Sequence, residues 1–171
     1  MRLLLVVGLV CLCAPSAQAQ LAVSYDTGTG YLAFDKGAHR AITVFIPAQA
    51  VGATVSSAVG VRLAYTEFTF EEGDRAGEVV RRPGLYVGID GSSLGPDESG
   101  LGFSSSFDFG YDLYNLEAPF LLGFTQPSMS LALGGHVQAG PVGASARGLV
   151  TLAAWTDGLV LGGRFAAVVR L

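Results

Sequence analysis

Along most of the chain, apolar residues recur at every second position. In residues 128–140, SMSLALGGHVQAG, one set is Met129, Leu131, Leu133, Gly135, Val137 and Ala139; the other is Ser130, Ala132, Gly134, His136 and Gln138. In residues 100–110, Leu101, Phe103, Phe107 and Phe109 share a face with Ser105, opposite Gly102, Ser104, Ser106 and Asp108. In residues 142–155, Val142, Ala144, Ala146, Val150, Leu152 and Ala154 line up opposite Ser145, Arg147 and Thr151. A period of two is the mark of strands with unlike faces, and no stretch offers a convincing helical period. The pattern predicts an all-β chain with strands over 20–26, 30–35, 40–47, 58–71, 78–90, 100–110, 114–125, 128–140 and 142–155, and a last one from 158. Turn signals fall between them: EGDRAG, DGSSLGPDESG, TQPS, AGPVG and WTDG. From residue 58 onward the runs exceed the usual strand of about five or six residues. They match the roughly 9–11 residues of a tilted, bilayer-crossing strand. The runs between 20 and 57 are short, and their pairing stays unassigned.

Alternation alone fits a soluble β-sandwich as well as a membrane barrel. The polar faces separate the two. A sandwich in water usually covers them with Lys, Glu and Thr. Here they carry glycine, serine and alanine with sparse charges, which suits the narrow interior of a small barrel. The apolar faces would then meet hydrocarbon, where only a closed barrel satisfies every strand's backbone groups. Tyr65, Phe68, Phe70, Tyr111, Tyr114 and Trp155 fall near strand ends, as aromatic belts do. The expected fold is an antiparallel up-and-down transmembrane β-barrel of eight strands, with ten as the alternative and a soluble β-sandwich as the rival architecture. Its predicted lumen holds Arg62, Asp108, Glu117, His136, Arg147 and Arg164, joined by Asp112 and Arg170. Charges in so narrow a space need partners. A mutually satisfied polar core is the first reading, and a narrow ion path or a ligand-binding lumen the second.

Composition adds location. The 171 residues are 50% hydrophobic and 14% charged, which excludes disorder for most of the chain. A net charge of -4 without a basic cluster gives no footing for nucleic acid. Residues 1–19 read as an export signal. Arg2 precedes an apolar run over Leu3–Cys13, and small residues at Ala17 and Ala19 set cleavage between Ala19 and Gln20. Val10 before Cys11 and Leu12 before Cys13 do not fit a lipidation site. Both cysteines leave with the signal, so the mature chain has neither disulfides nor thiol chemistry.

The last segment, GLVLGGRFAAVVRL, keeps its alternation to the final residue. It resembles the C-terminal strand of bacterial outer-membrane barrels, with Gly163, Phe165, Val169 and Leu171 at the matching positions. The terminal leucine departs from the commoner phenylalanine. The resemblance implies recognition by the barrel-assembly machinery. YNLEAPFLLGF followed by LALGGHVQAGPVGA is similar to the small porin-like proteins of the outer membrane protein beta-barrel domain family. Leu116, Glu117, Pro119, Leu121 and Leu122 fit its pattern; Ala118 and Gly123 depart from it. The likeness covers residues 113–171. It implies a bacterial outer-membrane location, with outer-membrane lipid as the main partner. With the last strand ending at the periplasm, WTDG, TQPS and DGSSLGPDESG are expected outside, and AGPVG and EEGDRAGE inside.

Candidate chemistry is thin. His39 and His136 are the only histidines, and neither has convergent ligands in the sequence, so no metal or cofactor is expected. A membrane hydrolase would use His136 with Ser128 or Ser130 and Glu117, but no G-x-S-x-G elbow is present. Asp90, Asp97 and Glu98 lie in the longest predicted outer loop, without the spacing of a known calcium loop. The sequence points to a non-enzymatic barrel, structural or porin-like.

Overall fold

The computed structural model describes residues 20–32, 34–50, 56–95, 98–113, 125–153 and 158–170. These form eight strands: β1 (Gln20–Leu32), β2 (Asp35–Ala50), β3 (Ser56–Phe70), β4 (Val79–Ser92), β5 (Gly100–Leu113), β6 (Thr125–Ala139), β7 (Val142–Ala153) and β8 (Gly158–Arg170). Each pairs antiparallel with the next, and β1 pairs with β8, so one sheet closes on itself in sequential order. There is one closed barrel of eight strands, not two stacked sheets and not ten strands. The signal segment with Ala19, the stretch 114–124 with Glu117, the Trp155 position and Leu171 lie outside the described residues.

Two runs that look separate in the sequence, 20–26 and 30–35, are largely one strand. The intervening Thr27-Gly28-Thr29-Gly30 breaks the apolar period yet stays in register with β8. Gly28 faces Gly162 across this seam, and a Cβ there would lie 2.4 Å from the Leu161 carbonyl oxygen. Glycine is therefore required by close strand approach, not by a turn. TQPS likewise belongs to β6 rather than to a turn. The strand prolines sit where ladders end or slip. Pro127 lies just beyond the last β6–β7 pair, Pro83 just beyond the last β4–β5 pair, and Pro47 at the register shift in β2. A missing N–H costs least at such places.

The chain ends define one end of the barrel, called here the terminal end, because Gln20 pairs with Arg170. The connections 51–55, 93–99 and 140–141 join strands there. Connections 33–34, 71–78, 114–124 and 154–157 join strands at the opposite, distal end. This corrects the expected sidedness. DGSSLGPDESG shares an end with AGPVG, and EEGDRAGE shares one with WTDG. Taking 114–125 as a further strand had exchanged them.

A ladder followed round the barrel from Ala22 through Phe45, Arg62, Tyr86, Gly110, Ser128 and Ala153 reaches Gly158, one place beyond the Leu159–Tyr31 pair. It returns to β1 at Leu32, ten residues from its start. Such a stagger goes with strands tilted by about 40°. Alternate residues then divide cleanly. Phe103 (54% exposed), Leu133 (46%) and Phe165 (53%) point outward, while Arg164 and His136 are buried inside. Large apolar side chains cover the outside, and the inside holds most of the buried polar and charged ones together with two small apolar clusters.

Candidate functional site

The interior is layered along the barrel axis. Nearest the terminal end, Ala22, Phe45, Ala58, Ala166 and Val168 form an apolar layer. Above it lie three arginines and three aspartates, one from each of six strands: Asp26 (β1), Arg62 (β3), Asp90 (β4), Asp108 (β5), Arg147 (β7) and Arg164 (β8). The strand period turns each side chain inward. Asp26 shares its face with Ala22 and Ser24, and Asp90 with Arg82, Tyr86 and Gly88.

Charges alternate through the cluster. Arg147 donates from Nη2 to Asp90 Oδ1 (2.8 Å) and from Nη1 to Oδ2 (3.1 Å). Arg62 Nη2 donates to the same Asp90 Oδ2 (3.0 Å), and Arg62 Nε to Asp108 Oδ1 (2.7 Å). Arg164 Nη1 donates to Asp108 Oδ2 (2.7 Å), while its Nε and Nη2 clasp Asp26 (2.9 Å each). Hydroxyls take the remaining donors: Ser104 accepts from Arg147 Nε, Ser106 from Arg164 Nη1, and Thr43 and Ser24 from Arg62 Nη1. Every guanidinium nitrogen of the three arginines has an acceptor, and every carboxylate oxygen of the three aspartates has a donor. Phe45 lies beneath the Arg62 guanidinium, 5.1 Å from ring centroid to Cζ. The six formal charges cancel. Only such complete pairing makes burial of six ions tolerable.

One close contact bears on the network directly, and a second lies beside it. Asp108 lies over Gly88, where a Cβ would meet its Oδ1 at 2.2 Å. Tyr86, on the same strand, donates its hydroxyl to Asp112. On the distal side of the ions lies a chamber of about 60 Å³, lined by His39, Thr66, Arg82, Tyr86, Asp112 and Ser128 among others. That is room for a few water molecules. Leu32, Phe68 and Phe70, with Val80 against them, form a second apolar cluster beyond it. Arg75 from the 71–78 connection stacks on Phe70 at 4.1 Å. In the same connection, the hydrogen bond from Arg75 holds the Glu78 carboxyl below the usual carboxylate range.

Of the lumen residues read from the sequence, Arg62, Asp108, Arg147 and Arg164 belong to the ion cluster. His136 is buried nearer the terminal end, where its Nε2 meets Gln138 Oε1 (2.9 Å). Asp112 lines the chamber and Arg170 is buried near the seam; Glu117 lies outside the described residues. The sequence reading missed Asp26 and assigned Asp90 to an outer loop. Asp90 is instead the shared acceptor of two arginines. Continuing the alternation Tyr86, Gly88 by one step would have placed it inside. His39, Tyr86 and Arg82 were missed as well.

The hydrolase constellation is not assembled among the described residues. The Ser130 hydroxyl bonds Thr151 (3.0 Å), six positions along β6 from His136, which is held by Gln138. No group of three metal-binding side chains occurs among the described residues. Of the C-terminal signal positions, Phe165 and Val169 face outward on β8 with Gly163 on the same side; Leu171 lies outside the described residues. No protein-family model matches the chain, and no curated protein matches it significantly.

Proposed function

We propose that this chain is a bacterial outer-membrane β-barrel whose interior is sealed, serving as a structural element of the membrane rather than as an open diffusion pore or an enzyme. The observation that carries the reading is the inverted distribution of polarity. Soluble monomers rarely expose a contiguous apolar patch beyond a few hundred Å². Here the outward side of β5 runs through Leu101, Phe103, Phe107, Phe109 and Tyr111, and β6, β7 and β8 continue the surface with Leu131, Leu133, Val137, Leu152 and Phe165. From Leu101 to Tyr111 the strand climbs about 25 Å along the axis at the tilt above, the height of a lipid-facing band. Outward charges on described strands (Lys36, Arg40, Glu67 and Arg81) all lie toward the distal end. The ion cluster supports a sealed interior, because an ion crossing that layer would have to compete with pairs that are already fully formed. The export signal and the C-terminal strand support delivery to the outer membrane and handling by its assembly machinery.

The test is extraction and migration of the mature chain. It should need detergent to leave the membrane, migrate faster on a gel before heating than after, and give no stepwise conductance in planar bilayers. A monomer that stays in solution without detergent would defeat the proposal.

A further inference from the structure

Five of the eight described arginines are buried within the barrel, and Arg75 pairs with Glu78 in a connection. The remaining two, Arg40 and Arg81, both face outward. Register places them in one row across neighbouring strands: Arg40 opposite Glu67, and Glu67 opposite Arg81. The next outward row toward the terminal end is Tyr25, Ile42, Tyr65 and Pro83, and on β2 and β3 its members Ile42 and Tyr65 are the distal margin of the apolar face. Two cations thus stand on β2 and β4 just distal of the exposed Ile42 and Tyr65, in a zone where Lys36, Thr27 and Thr69 mix with the exposed Tyr31 and Val79.

Glu67 does not neutralise the row. It accepts only from Arg81 Nε (2.9 Å), leaving both terminal nitrogens of Arg81 without an acceptor among the described residues. Arg40 has no hydrogen bond or ion pair among them. The row carries a net single positive charge, with guanidinium donors to spare on either side of Glu67. Guanidinium groups bind phosphate oxygens in bidentate fashion, and cations beside a bilayer draw anionic headgroups.

We propose that the Arg40, Glu67 and Arg81 row docks the phosphate of an anionic membrane lipid, whose chains lie along Ile42 and Leu63 below it. The proposal rests on the membrane reading above. A zwitterionic headgroup fits less well, because the row has a charge excess of one sign and its only carboxylate is already engaged.

The experiment uses the mature protein, purified in a neutral detergent and titrated with dioleoyl phosphatidic acid, dioleoyl phosphatidylcholine or inorganic phosphate, with bound lipid counted by native mass spectrometry. The native protein should retain phosphatidic acid over phosphatidylcholine by on the order of tenfold. Arg40→Gln/Arg81→Gln should erase that preference while keeping heat-modifiable migration. Arg40→Lys/Arg81→Lys, which keeps charge but not the fork, should keep part of it and covers the case in which the glutamine pair fails to fold. Equal retention of the two lipids, or a preference untouched by the glutamine pair, overturns the proposal. So does competition by inorganic phosphate at the lipid's own concentration, which marks a free-anion site. Solubility without detergent is read before any lipid is added; it overturns the membrane reading itself, and this proposal with it.

Discussion

The two faces of each strand obey opposite rules. Inward, Asp26, Arg62, Asp90, Asp108, Arg147 and Arg164 satisfy one another completely; outward, Phe103, Leu133 and Phe165 touch no protein core at all. In a protein built for water the hydrophobic effect fills the interior and charge covers the surface. Here the charged middle of the interior is held by directional pairing, and under the proposed membrane function the surface draws its stability from the apolar medium around it. The difference teaches where each face is brittle. An ion network fails when one member is removed, because the partner stays buried and uncompensated. A lipid-facing surface tolerates changes of apolar shape and fails when charge is introduced.

The largest effect should come from Asp108→Ala, which takes one carboxylate from both Arg62 and Arg164 and leaves the buried cluster with one positive charge in excess. A loss of about 3–5 kcal/mol is expected, read as a lower urea midpoint for the folded protein in micelles. An unchanged midpoint would mean that the paired ions contribute nothing. Next comes the outward face. Phe165→Arg, near the middle of the apolar band, should cost about 2–4 kcal/mol in lipid. The same substitution on a water-exposed surface would be close to neutral, so the measurement discriminates between the two surroundings. A smaller, sharper test of the inward rule is Gly88→Ala. The new methyl would displace the Asp108 carboxylate from Arg62, at about 1–3 kcal/mol. Coupled with Asp108→Ala in a double-mutant cycle, most of that cost should disappear. The smallest effect belongs to Glu78→Gln, outside both faces. The folded carboxyl titrates below its unfolded value, so its pairing with Arg75 contributes above the usual carboxylate range and is lost as pH falls through the folded value. The variant should therefore differ slightly from the native protein at neutral pH and coincide with it at about pH 2–3.

Much of the barrel is legible from alternation alone. The outward sets in 100–110, 128–140 and 142–152 are those the sequence predicts, because a period of two fixes which residues share a face once a strand is granted. Element boundaries were harder, since glycine and proline carry two meanings. In Asp26–Gly30 and in TQPS they read as turns, yet here glycine admits a closely approaching neighbour and proline sits where a ladder stops. Asp90 was lost to the same ambiguity: Asp-Gly is a strong turn signal, yet Asp90 and Gly91 stay within β4 and pair with Ser106 and Ser105. Partnership was not legible at all. Nothing local in the sequence ties Arg62 to Asp108 or Arg164 to Asp26, because the pairing follows from the stagger of the closed sheet, a property of all eight strands together.

The seam between β1 and β8 has a consequence for the order of events in folding. The clasp of Arg164 on Asp26 joins residues 138 positions apart, so the first strand must wait for nearly the whole chain before its second neighbour exists. Until then it offers an open row of backbone donors and acceptors that any other chain could occupy. A nascent barrel of this kind folds slowly for entropic reasons, and its most vulnerable moment is the last one, when a single missing ribbon leaves both margins of the sheet bare.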